Sequence, residues 1–413
     1  MFGAILEKLK IRGATDGTEI GNDGDRLKVK NSGDDLSTEG QGRVRVAENT
    51  VAFDAYFVNT DRDSSFRQFT VTGGTITHNV STSSMDLATT TTSGSRAVYQ
   101  STYIHYVPGQ TFTSAFTNVF GTTDTNCRKR VGVFDDNDGI YLEYDGTDLS
   151  FNIKNSTTGG SNQSVTRTSF NANTFDAFDP TKDYLWSIDF LWHGIGPVGL
   201  YVYIDGVRTL LHTFTNSGIS PVPYMKTPNL PIRHEIVNVG TTSSAQEFKF
   251  FCIQLSSEGR ENIGVQNRTC SNEPAGGSSI NKSSYKPIVS IRLKSANARA
   301  IIKLQAAKIL ATSNDDIIFQ VVKNPTLTGA SFSSVGSESV VECDDSATAT
   351  SGGIVLDQGF ISKSGRTPSE TVQTFEVIQS DYAGTTSDIL TLQAKSLTSS
   401  ATVYGALTWT ELF

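Results

Sequence analysis

The 413-residue sequence predicts an all-β fold: a jelly-roll β-sandwich domain followed by a second, smaller β-sandwich, with an extended N-terminal arm. Three observations predict it. Charged residues make up only 18% and hydrophobic residues 37%, which suits a globular chain whose polar surface comes from Ser, Thr, Asn and Gly. Aromatic and β-branched runs recur at short intervals, separated by Asp/Gly turns, as in sandwiches and jelly rolls. After a polar stretch near residue 270 the same pattern resumes, which calls for a second β layer.

The elements follow in chain order. Residues 1–46 are expected to form a short helix and an extended arm. Phe2, Ile5, Leu6 and Leu9 fall at helical spacing. One apolar stripe on so short a helix is not stable alone, so these four side chains are expected to make an assembly contact. The arm beyond them is rich in Gly and Asp. Residues 47–265 are expected to form the jelly roll. Val131–Phe134, Ile140–Tyr144 and Leu149–Lys154, joined by turns at Asp135–Gly139 and Asp145–Asp148, read as a three-stranded meander. Tyr184–Trp192, Val198–Ile204 and Val207–Phe214 read as three more strands, the last two joined through Asp205-Gly206, and Phe248–Leu255 as another. Residues 266–286, with Gly276-Gly277 and several Ser, read as a linker. Residues 287–413 return to strands at Ile288–Leu293, Ile317–Val322, Gln373–Ile378 and Ala401–Trp409. Ala300–Leu310 fits a helix by periodicity, but its β neighbours favour a strand.

Composition narrows the function. The net charge is −8, and the only dense basic cluster, Arg128-Lys129-Arg130, runs straight into acidic residues, so a nucleic-acid interface is not expected. No apolar run reaches the roughly 18 residues of a membrane-spanning helix, and no membrane partner is expected. Cys127, Cys252, Cys270 and Cys343 show no metal-ligand spacing and read as free thiols, with a Cys252–Cys270 bridge as the alternative.

Motifs for chemistry are weak. Gly194-Ile-Gly-Pro-Val-Gly199 matches a dinucleotide fingerprint literally, but Pro197 interrupts it and a strand follows, so it reads as a hairpin turn. Asp135-Asp-Asn-Asp-Gly139 lacks the spacing of a calcium loop and reads as a tight turn, with adventitious Ca²⁺ as the alternative. His78, His105, His193, His212 and His234 form no HxH or HExxH pair. Trp186 and Trp192 alternate as core residues do, a glycan platform being the second reading. No catalytic, cofactor or metal residues are assigned.

Several segments carry a resemblance. Ser187–Gly196, Val202-Tyr-Ile-Asp-Gly206, His212-Thr-Phe214 and Tyr224–Ile236, the last containing Thr227-Pro-Asn-Leu-Pro231, resemble a family of tailed-bacteriophage virion structural proteins. So do Gly13–Val29 and Lys323–Gly329 with Ser351-Gly-Gly353. The resemblance implies a non-enzymatic virion component of head, neck or tail, without cofactor, assembled in the host cytoplasm. Its partners would be other virion proteins and further copies of itself. The alternative is a receptor- or glycan-binding module of a tail or fibre that meets a host-surface glycan. A carbohydrate-active enzyme, which needs two carboxylates facing a cleft, ranks third.

Overall fold

Side chains that alternate between core and solvent set the architecture of the computed structural model, which describes residues 49–412 apart from 62–64, 260–265, 313–314, 363–369, 373–376 and 383. Phe2, Ile5, Leu6 and Leu9 and the expected arm lie outside the described residues. The fold is all-β, with antiparallel sheets, and helical geometry among the described residues is confined to short 3₁₀ turns such as Arg167–Ser169 and Ser295–Asn297.

Among the described residues, fifteen strands build the first sandwich. They are β1 (Asn49–Tyr56), β2 (Phe66–Val71), β3 (Thr75–Asn79), β4 (Ser84–Thr89), β5 (Arg96–Ser101), β6 (Phe112–Val119), β7 (Cys127–Phe134) and β8 (Gly139–Tyr144). There follow β9 (Leu149–Lys154), β10 (Gln163–Thr166), β11 (Asp183–Phe190), β12 (Val198–Ile204), β13 (Val207–Phe214), β14 (Ile232–Asn238) and β15 (Gln246–Glu258). One sheet runs β13-β12-β11-β6-β15-β4-β3 with β1 also on β15; the facing sheet runs β10-β9-β8-β7-β14-β5-β2. The meander read at Val131–Lys154 is present as β7-β8-β9, and the three strands read over Tyr184–Phe214 are present as β11-β12-β13. Asp205 (φ 49°) and Gly206 (φ 80°) both take the left-handed conformation that a two-residue hairpin turn requires. On β6, Phe112, Ser114, Phe116 and Asn118 are buried while the residues between them are partly exposed, the period-2 signature of a half-buried strand. Trp186, Phe116, Phe248 and Phe250 are fully buried between the sheets, each contributing about 1.5–3 kcal/mol of transfer free energy.

The second sandwich comprises β16 (Gln266–Ser271), β17 (Ser278–Asn281), β18 (Lys286–Leu293), β19 (Ile301–Ala311), β20 (Ile317–Lys323), β21 (Thr326–Thr328) and β22 (Ser333–Ser334). It continues with β23 (Val341–Asp344), β24 (Ala349–Ser351), β25 (Ile354–Ile361), β26 (Glu370–Val372), β27 (Val377–Ile378), β28 (Ile389–Ser396) and β29 (Ser400–Leu412). One sheet runs β16-β29-β19-β26, with β17 on β29 and β27 on β19; the other runs β22-β23-β18-β28-β20-β25. Trp409, Ile291, Phe319 and Leu392 fill the space between them.

Two sequence expectations need correction. The stretch 266–286, read as a linker, contains β16 and β17, which both pair with the long β29. Its strand signal is the burial of Ser278 and Ile280 in alternation with Ser279 and Asn281, which the Ser/Gly composition hides. The cysteines are not all free: Cys270 on β16 and Cys343 on β23 form a disulfide, their Cα atoms 6.5 Å apart, whereas Cys127 and Cys252 are unbridged. The two strands lie in opposite sheets of one sandwich, an arrangement that a separation of 73 residues does not reveal.

Candidate functional site

The residues singled out for chemistry do not converge. Trp186 is fully buried and Trp192 packs on the same core, donating its indole N–H to the Met225 carbonyl at 3.2 Å. Gly194–Gly199 turns between β11 and β12, with the Leu191 N–H bonded to the Pro197 carbonyl. The histidines sit on separate elements: His78 Nε2 contacts the Phe57 carbonyl at 2.7 Å, His212 Nδ1 accepts the Asn171 N–H, and His234 is enclosed between the first sandwich's sheets. Among the described residues no group of three or more His, Cys, Asp or Glu is placed to hold a metal ion.

The Asp135–Gly139 turn leads to a different kind of site. Asp135 Oδ1 accepts the N–H groups of Asn137 and Asp138, which shapes the turn. Asp138 accepts the backbone N–H of Ser156 and of Lys226 and the Ser156 hydroxyl. Both side chains are buried, and the second sandwich reaches them through Arg299, at 2.9 Å from Asp135 and 3.6 Å from Asp138. The Tyr103 hydroxyl donates to Asp135 at 3.0 Å. The amide of Gln379 bonds both the N–H and the carbonyl of Tyr103, at 2.6 Å each, as a neighbouring strand would. Tyr103, Ile301 and Leu412 form a small apolar cluster at this joint.

Beside the joint, the outer face of β5, β14, β7 and β8 carries a charge network. Arg130 stands in register between Glu143 and Glu235 and binds them at 2.5 and 3.1 Å. Glu235 also meets Arg96 at 3.1 Å and Arg233 at 3.4 Å. Burial pushes the Glu235 carboxyl up, but Arg96, Arg130 and Arg233 outweigh it and hold it below the usual carboxylate range. It therefore stays ionised and cannot act as a proton donor. Arg96 and Arg233 each bind Asp136 at 2.8 Å, and the Tyr382 hydroxyl donates to the same carboxylate at 2.8 Å. Against its partial burial, these arginines keep Asp136 strongly acidic. Tyr382 stacks on Phe69 with ring centroids 4.6 Å apart, and Arg67 binds Asp388 at 2.5 Å, so the second sandwich is seated on this face.

Between the sandwiches lies a cleft of about 670 Å³. Asp136, Asn137 and Asn229 line it from the first sandwich, and Ser295, Asn297, Arg299 and Glu338 from the second. Asn229 gives its carbonyl oxygen to the Tyr106 N–H, which leaves its NH₂ to donate. The surface thus offers amide and hydroxyl donors beside carboxylate and amide acceptors, within the size range of small-ligand sites. Sequence reasoning reached part of it. Asp136 and Asn137 lie in the flagged turn and Asn229 in the Thr-Pro-Asn-Leu-Pro segment, but Tyr103, Arg299, Glu338 and Tyr382 gave no local signal.

No protein-family model and no curated protein sequence matches the chain. Among solved structures it is similar to the endo-1,3-β-glucanase of Streptomyces sioyaensis, 10% identical over 51% of this chain and 97% of that one, with a TM-score of 0.37. It is also similar to a glycosyl hydrolase family protein of Mycobacterium fortuitum (12% identity, 50% and 99% covered, TM-score 0.35) and to a legume lectin-like domain of Entamoeba histolytica (7%, 47% and 90%, 0.30). Likeness at this level carries no argument about activity. The expectation raised by the sequence resemblance is corrected: the neighbours found are glucanase, glycosyl hydrolase and lectin-like proteins and not virion components. The reading as a non-enzymatic virion subunit, with virion proteins as partners and the virion as its location, is withdrawn. The structure supplies the physical reason: Val202–Gly206 is a strand running into a hairpin turn, and Thr227–Pro231 is the loop that enters β14. Any antiparallel sandwich can use such segments.

Proposed function

We propose that the chain is a glycan-binding protein and that the cleft between its two sandwiches holds the sugar. The observation that carries this reading is the lining: Asp136, Asn137, Asn229, Ser295 and Asn297 around about 670 Å³. A sugar hydroxyl both donates and accepts, and amides beside carboxylates satisfy both roles at once. Buried ion pairs hold the walls in place before ligand arrives, which lowers the ordering cost of binding.

The test is a binding screen of the full chain against an oligosaccharide panel, paired with Ala296→Trp. Ala296 lines the cleft and is exposed, so an indole there fills space without removing a structural bond. The reading expects binding by the native chain and a loss of at least about tenfold in the variant, roughly 1.4 kcal/mol. Equal binding by both proteins would move the site elsewhere, and an empty panel would end the reading. Assay of the same mixtures for new reducing ends reports whether bound sugar is also cut.

A further inference from the structure

We infer that the cleft selects neutral glycans and rejects those bearing carboxylate or sulfate groups, an inference that rests on the glycan-binding reading above. Recognition of an anionic sugar needs a guanidinium or ammonium aimed at the ligand, with bidentate arginine the strongest form. Arg299, which lines this cleft, and the arginines that pair with its acidic lining residues already hold carboxylates of the protein. Arg299 is shared between Asp135 and Asp138 at 2.9 and 3.6 Å. Arg96 and Arg233 converge on Asp136 at 2.8 Å each and reach Glu235 behind it. Arg268 lies 3.8 Å from Glu338.

The charges that face the ligand are therefore mostly negative. Of the ionic lining residues among those described, Asp135, Asp136 and Glu338 are acidic and Arg299 is basic. The Asp136 side chain is half exposed and that of Glu338 is 83% exposed, so both present charge to whatever enters. An acidic sugar must either sit against these carboxylates or break an existing pair. Breaking one strands a carboxylate such as Asp135 or Asp138, whose side chains are 2% and 0% exposed. A neutral polyol meets Asn137, Asn229, Ser295 and Asn297 without disturbing any pair.

Glu338 is the residue at which this preference can be reversed. It stands exposed at the rim and is paired only loosely with Arg268. Glu338→Lys changes the lining by two charges while leaving the buried pairs intact.

The experiment measures the full chain and Glu338→Lys against neutral oligosaccharides and against uronate-containing and sulfated oligosaccharides, at low and high salt. The native chain is expected to bind neutral ligands at least about tenfold more tightly per added negative charge avoided, with little salt dependence. The lysine variant is expected to shift the acidic-to-neutral affinity ratio upward by about tenfold, a gain that salt screens away. Equal or tighter native binding of acidic sugars overturns the selectivity and leaves glycan binding standing. A ratio unchanged in the variant overturns the role of the rim charge. If no oligosaccharide of either kind binds, the glycan-binding reading falls and this inference with it.

Discussion

His234 offers a direct test of how the first sandwich is held together. Its ring is fully buried between the sheets, stacked on Phe250 at 3.8 Å and flanked by Phe116 and Phe248. Neither ring nitrogen finds a partner among the described residues. Burial lowers its pKa from 6.5 to about 3. The unfolded chain therefore binds a proton near pH 6.5 that the folded chain refuses until about pH 3. Stability from this group is complete above pH 6.5 and is lost as pH falls through that window. Each pH step of one removes about 1.4 kcal/mol, so acidification from pH 7 to pH 5 removes about 2 kcal/mol. His212, also held low by burial, adds to the same limb. His234→Phe keeps an aromatic ring on Phe250 and removes the proton uptake. Urea unfolding at pH 7, 6 and 5 should show the native chain losing about 2 kcal/mol and the variant less than half of that. An identical pH slope in both proteins would show that His234 is not the source of the acid sensitivity.

Three further outcomes are expected. Under denaturing, non-reducing conditions thiol titration should find two free cysteines, Cys127 and Cys252, and four after reduction; reduction should destabilise the second sandwich by about 4 kcal/mol, the chain-entropy value for a loop of this length. Finding four thiols before reduction would remove the bridge. Glu235→Gln leaves Arg96, Arg130 and Arg233 around an uncharged side chain and should cost about 3 kcal/mol in urea unfolding, whereas a cost below about 0.5 kcal/mol would show that the network does not hold this face. Arg299→Ala should cost about 1–3 kcal/mol and weaken glycan binding, with Arg299→Lys recovering part of both; unchanged binding in the alanine variant would separate Arg299 from the cleft.

Local patterns in the sequence foretold local structure. The Asp135–Gly139, Asp145–Asp148 and Asp205-Gly206 turns mark both meanders, because a tight turn dictates pairing between neighbours in the chain. The strand over Ile301–Ala311 also followed from its β context. What stayed hidden is non-local. β6 joins β11 to β15, and β14 joins β7 to β5, pairings chosen by burial of whole sheet faces that no window of the chain displays. β16 and β17 were masked by small polar residues that sheets tolerate beside a long partner strand. The cleft shows the same division. Asp136 and Asn137 belong to a visible turn, whereas Arg299, Glu338 and Tyr382 join them from more than 150 residues away, and Tyr382 is anchored by a ring, Phe69, from the other end of the described chain. The sequence resemblance failed for the same reason: hairpin and loop segments repeat across unrelated sandwiches, and only the assembled surface distinguishes what they do.

A crystal structure of the full chain with a neutral oligosaccharide that it binds would decide whether the cleft is the sugar site. Sugar density is expected between the two sandwiches, with hydroxyls bonded to Asp136, Asn137 and Asn229 from one side and to Ser295 or Asn297 from the other. Sugar bound on any other surface, with this cleft holding only water, would contradict that placement.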